Sequence, residues 1–202
     1  MNKSKVMHHW RFFLSLEKDF INLQNYIEID EKNFNTFSLE LAKLLQTACA
    51  EIESVLRLLC RQLDGESPFA DSGDKIGEMK KYKKLINRHL SGFFEAEVSL
   101  PHLEQSIKPW KNWSNTTPPE WWSSYNSVKH HRHSEFHQAN LENVIYALSG
   151  LMLCNLYLYR RVVDEPYATP NKIPEYFDCE YTARRMACRA DFELPGFEAK
   201  RI

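Results

Sequence analysis

Residues 38–63 read SLELAKLLQTACAEIESVLRLLCRQL, and their spacing decides the fold class. Leu41, Leu45, Ala48, Ile52, Val55, Leu59 and Leu63 recur at intervals of three and four. That period belongs to one face of an α-helix and not to the alternation of a strand. Ser38 is a good N-cap, Glu40 suits the first turn, and Asp64-Gly65 stops the run. A second stripe, Leu44, Ala48, Glu51, Val55 and Leu58, is apolar except at Glu51. A carboxylate among such neighbours either lies at the edge of a groove or is buried with a partner, because an unpaired buried charge is costly. The expected partner for a buried Glu51 is a cation such as Lys129, His130 or Arg132, or a helix-end amide.

The same period recurs on both sides. Trp10, Phe13, Leu14, Glu17, Phe20 and Ile21 predict a helix over 6–26. Leu141, Val144, Ile145, Leu148, Leu151, Met152, Leu156 and Tyr159 predict a long core helix within 135–163. Shorter helices are expected over 74–89, which carries Lys80, Lys81, Lys83, Lys84 and Arg88, and over 119–129, opened by Pro118-Pro119. The lysine-rich helix is a solvated face or a phosphate-tracking patch. Residues 66–73 read as a loop. Residues 93–119, with Pro101, Pro109, Trp110 and Trp113, read as an irregular packed or functional loop. No βαβ alternation occurs. The expected architecture is an all-α, up-and-down bundle of four to five helices. It spans 1–164, and residues 165–202 form a Pro-containing tail or arm packed on the bundle or on a dimer partner. A short helix is expected at 181–190.

With 202 residues, a formal charge of −1 and 43% hydrophobic residues, the chain has the composition of one soluble globular domain. Nucleic-acid binding must then use a local patch and not a basic surface overall. Five scattered cysteines form no C-x-x-C pair, which suits a reducing, cytoplasmic compartment. The opening MNKSKVMHHWRFF has no signal-peptide core, and the apolar stretch 145–158 is interrupted and short for a bilayer, so no membrane association is expected.

The chemistry is expected in WWSSYNSVKHHRHSEFHQA, residues 121–139, which holds His130, His131, His133 and His137 with Lys129 and Arg132. Imidazoles move protons near neutral pH, and guanidinium holds phosphate oxygens with a planar fork. Three readings compete. His133 and His137 are four apart and on a helix would share a face suited to zinc, but a third ligand and an H-E-x-x-H motif are missing. The basic residues also suit a polar corner at a helix C-terminus. The third reading is phosphodiester chemistry, in which Arg132 stabilises developing charge and a histidine acts as general acid or base. RNA supplies its own 2′-hydroxyl nucleophile, so this chemistry needs no metal and no cofactor.

Arg132-His133-x-x-x-His137 resembles the Arg–polar–x3–His signature of the HEPN superfamily, in which the polar residue is more often Asn. The text WWSSYNSVKHHR followed by ANLENVIYALSGL is similar to a group of bacterial HEPN-like proteins. So are WRFFLSLEKDF, QNYIEIDEKNFNTFSLELAKLL, ACAEIESVLRLLC and SIKPWKNW, and together they span 10–158. The resemblance implies a helical bundle, homodimers, and metal-independent endoribonuclease activity in toxins and antiviral effectors. It implies Arg132, His137 and His133 as catalytic residues, with Asn126, Lys129 and His130 positioning RNA. It equally implies an alternative, a catalytically inactive module that binds a protein or nucleotide partner, with an antitoxin or effector among the partners. In that alternative Arg132 pairs with Glu51.

Overall fold

The computed structural model of the chain describes residues 1–65, 79–114, 117–163 and 169–179. It is an all-α bundle. Helix α1 (Lys3–Asn22) is followed by α2 (Leu39–Leu63), α3 (Met79–His89), α4 (Glu120–Glu135) and α5 (Leu141–Val162). A two-stranded antiparallel hairpin, β1 (Val98–Leu100) with β2 (Gln105–Ile107), lies between α3 and α4. It is stitched through Val98↔Ile107, Ser99↔Ser106 and Leu100↔Gln105.

The centre is the α2–α5 pair, with α1 on both and α4 across them. Leu41, Leu45, Ala48, Ile52, Val55 and Leu59 of α2 are fully buried, as the stripe requires. Leu63, the last member, is only half-buried. In α5 the residues from Ala147 to Tyr159 are buried without a break, because neighbours cover the helix on every side. This helix is long and apolar enough to cross a membrane, yet 83% of its most apolar window lies inside the fold.

The caps follow the sequence. Ser38 accepts from the Leu41 N–H at 3.1 Å, and Asn140 accepts from the Asn143 N–H at 3.0 Å. The boundaries differ from expectation in three places. The first helix gives way at Leu23 to a 3-10 turn, Leu23–Asn25. The core helix starts at Leu141 and not at Glu135, since Phe136–Gln138 form a separate 3-10 turn. The helix expected to end at Lys129 runs on to Glu135, with a break at His131 (φ −132°, ψ 39°). The hairpin is also a departure from the irregular loop expected over 93–119. Residues 66–78 and the helix expected at 181–190 lie outside the described residues.

The Trp-rich loop is packed, not open. Trp110 and Trp113 are buried against Phe93, with ring centroids 5.5 and 6.4 Å away, and Phe93 meets Tyr157 of α5 at 4.9 Å. The Trp110 indole N–H donates to the Gly150 carbonyl at 3.2 Å, and the Trp121 N–H donates to the Pro109 carbonyl at 2.8 Å. These bonds satisfy the only polar atom of each buried ring. They also fix where α4 starts relative to α5.

Residues 169–179 lie along α1. Tyr176 meets Phe20 edge-on at 5.0 Å and Phe177 packs tilted against it at 5.6 Å, and the Trp10 N–H donates to the Lys172 carbonyl at 2.8 Å. Both backbone amides of Tyr176 and Phe177 donate to one oxygen of Glu17, at 2.8 and 3.1 Å. Asp178 and Ser99 exchange backbone hydrogen bonds, joining the segment to the hairpin. Glu17 therefore sits on the apolar face of α1 as an acceptor for chain 160 residues away.

Candidate functional site

Helix α4 is anchored by its first half. Pro119 precedes Glu120, and Trp121, Trp122, Tyr125 and Val128 are buried at spacings of one, four and seven. After Val128 the sequence offers no apolar residue until Phe136. With nothing to bury, Lys129, His130, His131, Arg132, His133 and Ser134 are all exposed, and the helix breaks within this run, at His131. Phe136 restores the anchor. It packs against the core and receives the Phe37 ring edge-on at 5.9 Å.

Arg132 lies over the other partner of this stack, its guanidinium carbon 5.2 Å from the Phe136 centroid. Lys129 lies 5.4 Å from the Tyr125 centroid. Both are cation–π placements that leave the charged groups in water. Among the described residues, no carboxylate stands within ion-pair distance of Lys129 or Arg132. The end of α4 is thus an uncompensated positive patch on a chain of charge −1.

The expected site residues fall in three groups. Arg132 and His133 occupy the last turn of α4, beyond the break, and His137 lies in the following 3-10 turn. His133 and His137 therefore do not share a regular helical face for zinc. Among the described residues, no three His, Cys, Asp or Glu side chains converge as metal ligands. His130 is exposed, 6.5 Å from His131 between ring centroids. Asn126 is half-buried, and its amide donates to its own helix at the Trp122 carbonyl, 3.1 Å away.

Glu51 has a partner that the sequence reading did not name. His9 Nδ1 of α1 stands 2.6 Å from Glu51 Oε1, with the two side chains 22% and 16% exposed. Glu51 is therefore not the partner of Arg132, Lys129 or His130. The signal for His9 was present in α1: His9, Phe13, Leu16 and Phe20 follow helical spacing, which puts the imidazole at the edge of the buried face. What it meets there depends on the antiparallel register of α1 against α2.

A second polar group lies under the start of this run, between α2, α3 and α4. Burial raises the Tyr125 phenol, against the opposing effect of Lys129, and burial also raises Tyr82 of α3, against that of Arg57. Glu53 lies near both tyrosines and 3.7 Å from Arg57. Tyr125 and Lys129 thus connect the exposed patch to the interior.

A comparison of the chain with protein-family models, with curated proteins and with solved structures finds no match. The fold is an all-α bundle with an exposed Arg/His/Lys patch at the end of a broken helix.

Proposed function

We propose that the chain is a HEPN-like, metal-independent RNA endonuclease, acting in a toxin or phage-defence setting in the cytoplasm. The observation that carries this reading is the run 129–134: six consecutive exposed residues, five of them Lys, His or Arg, with no carboxylate among the described residues paired to Lys129 or Arg132. An unneutralised patch of this kind attracts a polyanion. Arg132 stabilises the charge that develops on the scissile phosphate. His137 takes the proton from the 2′-hydroxyl or gives one to the leaving 5′-oxygen, assisted by His133 or His130. Lys129 and Asn126 position the RNA strand. The products are a 2′,3′-cyclic phosphate and a 5′-hydroxyl.

One chain leaves these side chains on an open surface. A homodimer supplies the missing wall: Phe37, 50% exposed, stands beside Phe136 next to the patch and is apolar enough to be covered by a second copy. The openness of the patch also favours a second reading, a catalytically inactive module that docks an RNA, nucleotide or partner protein.

The test uses purified protein and end-labelled RNA, with and without EDTA. Cleavage is expected to persist in EDTA and to stop when the scissile nucleotide lacks its 2′-hydroxyl. Arg132→Ala is expected to lower the rate about a hundred- to a thousand-fold, the loss typical of one charge-stabilising donor. His137→Ala is expected to lower it about a hundred- to ten-thousand-fold. Both variants should melt with the parent, because both side chains are exposed. RNA left equally intact by wild type and variants would transfer the assignment to the binding module.

A further inference from the structure

The basic helix α3 lies outside the site described above. Its eleven residues, MKKYKKLINRH, include Lys80, Lys81, Lys83, Lys84 and Arg88 and no acid. Tyr82 and Ile86 are fully buried, and Met79 and Leu85 pack partly against the core, so the apolar face of α3 seats it on the bundle. Lys80, Lys81, Lys84 and Arg88 are exposed to water. Among the described residues, no carboxylate stands within ion-pair distance of any Lys or Arg of α3. Other surface cations are compensated: Lys43 pairs with Glu40, Arg57 with Glu53, and Lys108 with Glu95 and Glu97. Lys80, Lys84 and Arg88 follow one another four residues apart, so each charge has a like charge one turn away. Such pairs destabilise a helix. Uncharged polar side chains would serve the fold at least as well, and a chain of net charge −1 has gathered five cations here.

We infer that α3 is a second RNA-binding surface, which tracks the phosphates of the strand whose scissile bond lies at the α4 patch. The inference rests on the ribonuclease reading for the identity of the polyanion and extends it from the cut to the strand beyond. The spacing fits. The row Lys80, Lys84, Arg88 advances about 6 Å per charge along the helix, a step close to that between neighbouring phosphates of an extended strand. The residue types fit as well. A lysine is a point charge on a flexible stem, suited to phosphate oxygens and blind to the base, so this surface holds RNA without choosing its sequence. The placement brings the two basic segments together on α2. Glu53 lies near Tyr82 of α3 and near Tyr125 of α4, and Lys129 lies 5.4 Å from the Tyr125 centroid. An anionic membrane is a poorer occupant, because a bilayer-bound helix inserts its apolar face and α3 has spent that face on the core. An acidic protein segment presents its carboxylates at no such constant step.

The probe is a fluorescein-labelled single-stranded RNA of mixed sequence, and the readout is its anisotropy over a series of salt concentrations. The protein is the full chain carrying Arg132→Ala/His137→Ala, so that no cleavage intervenes. Adding Lys80→Gln/Lys84→Gln/Arg88→Gln should weaken binding about thirty- to a thousandfold at low salt. The slope of log affinity against log salt should become shallower by about 2, since each phosphate contact to a single strand contributes roughly 0.7. Adding Lys80→Arg/Lys84→Arg instead should leave affinity and slope in place, because the charges remain. Lys43→Gln should also bind like the background, as this lysine is paired with Glu40 away from α3. The α3 variants should melt with the background, since the altered side chains are exposed and removing like charges relieves repulsion. Unchanged affinity and slope in the triple α3 variant would overturn the assignment. So would an equal loss in Lys43→Gln, which would make net charge the cause. Phosphatidylserine vesicles or poly-glutamate bound through α3 more tightly than RNA would overturn it in favour of a membrane or an acidic protein. The nuclease reading fails separately. A wild type that leaves RNA intact, with binding that depends on α3, removes the catalysis and keeps this surface. A wild type that cleaves, with binding indifferent to α3, keeps the catalysis and removes the surface.

Discussion

Replacing Glu17 by alanine tests how the segment 169–179 is held. Glu17 is 3% exposed, and one of its oxygens takes both the Tyr176 and Phe177 amides. Alanine would leave two buried N–H groups without an acceptor. Each such group costs about 1–3 kcal/mol, and the relief of desolvating a carboxylate returns part of that sum, so a net loss of about 2–4 kcal/mol is expected. For a chain of this size the melting temperature should fall by about 5–15 °C. If the segment detaches before the bundle melts, tryptophan emission should change first, since Trp10 donates to Lys172 within it. Limited proteolysis should then cut between residues 169 and 179 at temperatures where the parent is intact. Glu17→Gln gives the complementary measurement. Burial holds the Glu17 carboxyl above its ordinary value of 4.5, outweighing the amides of Phe177, Glu175 and Tyr176, which pull it down. The folded state therefore binds the proton more tightly than the unfolded one, and the Glu17 contribution to stability falls as pH rises from 4.5 through the raised value. Gln keeps the acceptor and removes the titration. The stability of the parent relative to Glu17→Gln should therefore decline across that window. A difference that grows with pH, or an alanine variant that melts and resists protease like the parent, would refute the reasoning.

The packing of the aromatic loop makes a further prediction. A Cβ added at Gly150 meets the Trp110 and Trp121 rings, each at 3.3 Å, and both rings are fixed by hydrogen bonds and neighbours. Overpacking of about 1–3 kcal/mol should exceed the helix gain of roughly 0.5–1 kcal/mol, so Gly150→Ala should be less stable in urea denaturation; a more stable variant would mean the indoles yield. Burial pushes the thiols of Cys49 and Cys154 well up and that of Cys60 to about 12. All three should resist iodoacetamide in the folded protein and react only in denaturant, as peptide mass mapping would read; modification of any of them under native conditions would contradict their placement.

The reading from residues alone reached the helices wherever burial follows a simple period. The α2 stripe, the Ser38 cap and the apolar run of α5 are local consequences of side-chain spacing, and they locate themselves without knowledge of neighbours. Local chemistry was less able to locate the end of α4. Past Val128 no apolar residue dictates a helix, yet the backbone remains helical through Lys129 and His130, breaks at His131, and resumes to Glu135. The hairpin was likewise hidden, because three-residue strands carry too few alternations to stand out, and Ser99 pairs with Asp178 far along the chain.

The candidate site divides in the same way. The composition of 129–137 marked a basic, histidine-rich patch, since charge and titration belong to the residue types themselves. The stripe of α2 marked Glu51 as an acid needing a partner. Only the packing of α1 against α2 decided that this partner is His9 and not Arg132. Glu17 tells the same story, with an apolar-face position that makes sense once chain 160 residues later supplies two amides. Helical periodicity is a one-dimensional property and can be read from one segment. The partner of a buried polar group is fixed by the register between segments, which hundreds of weak contacts determine together and no single stretch of sequence contains.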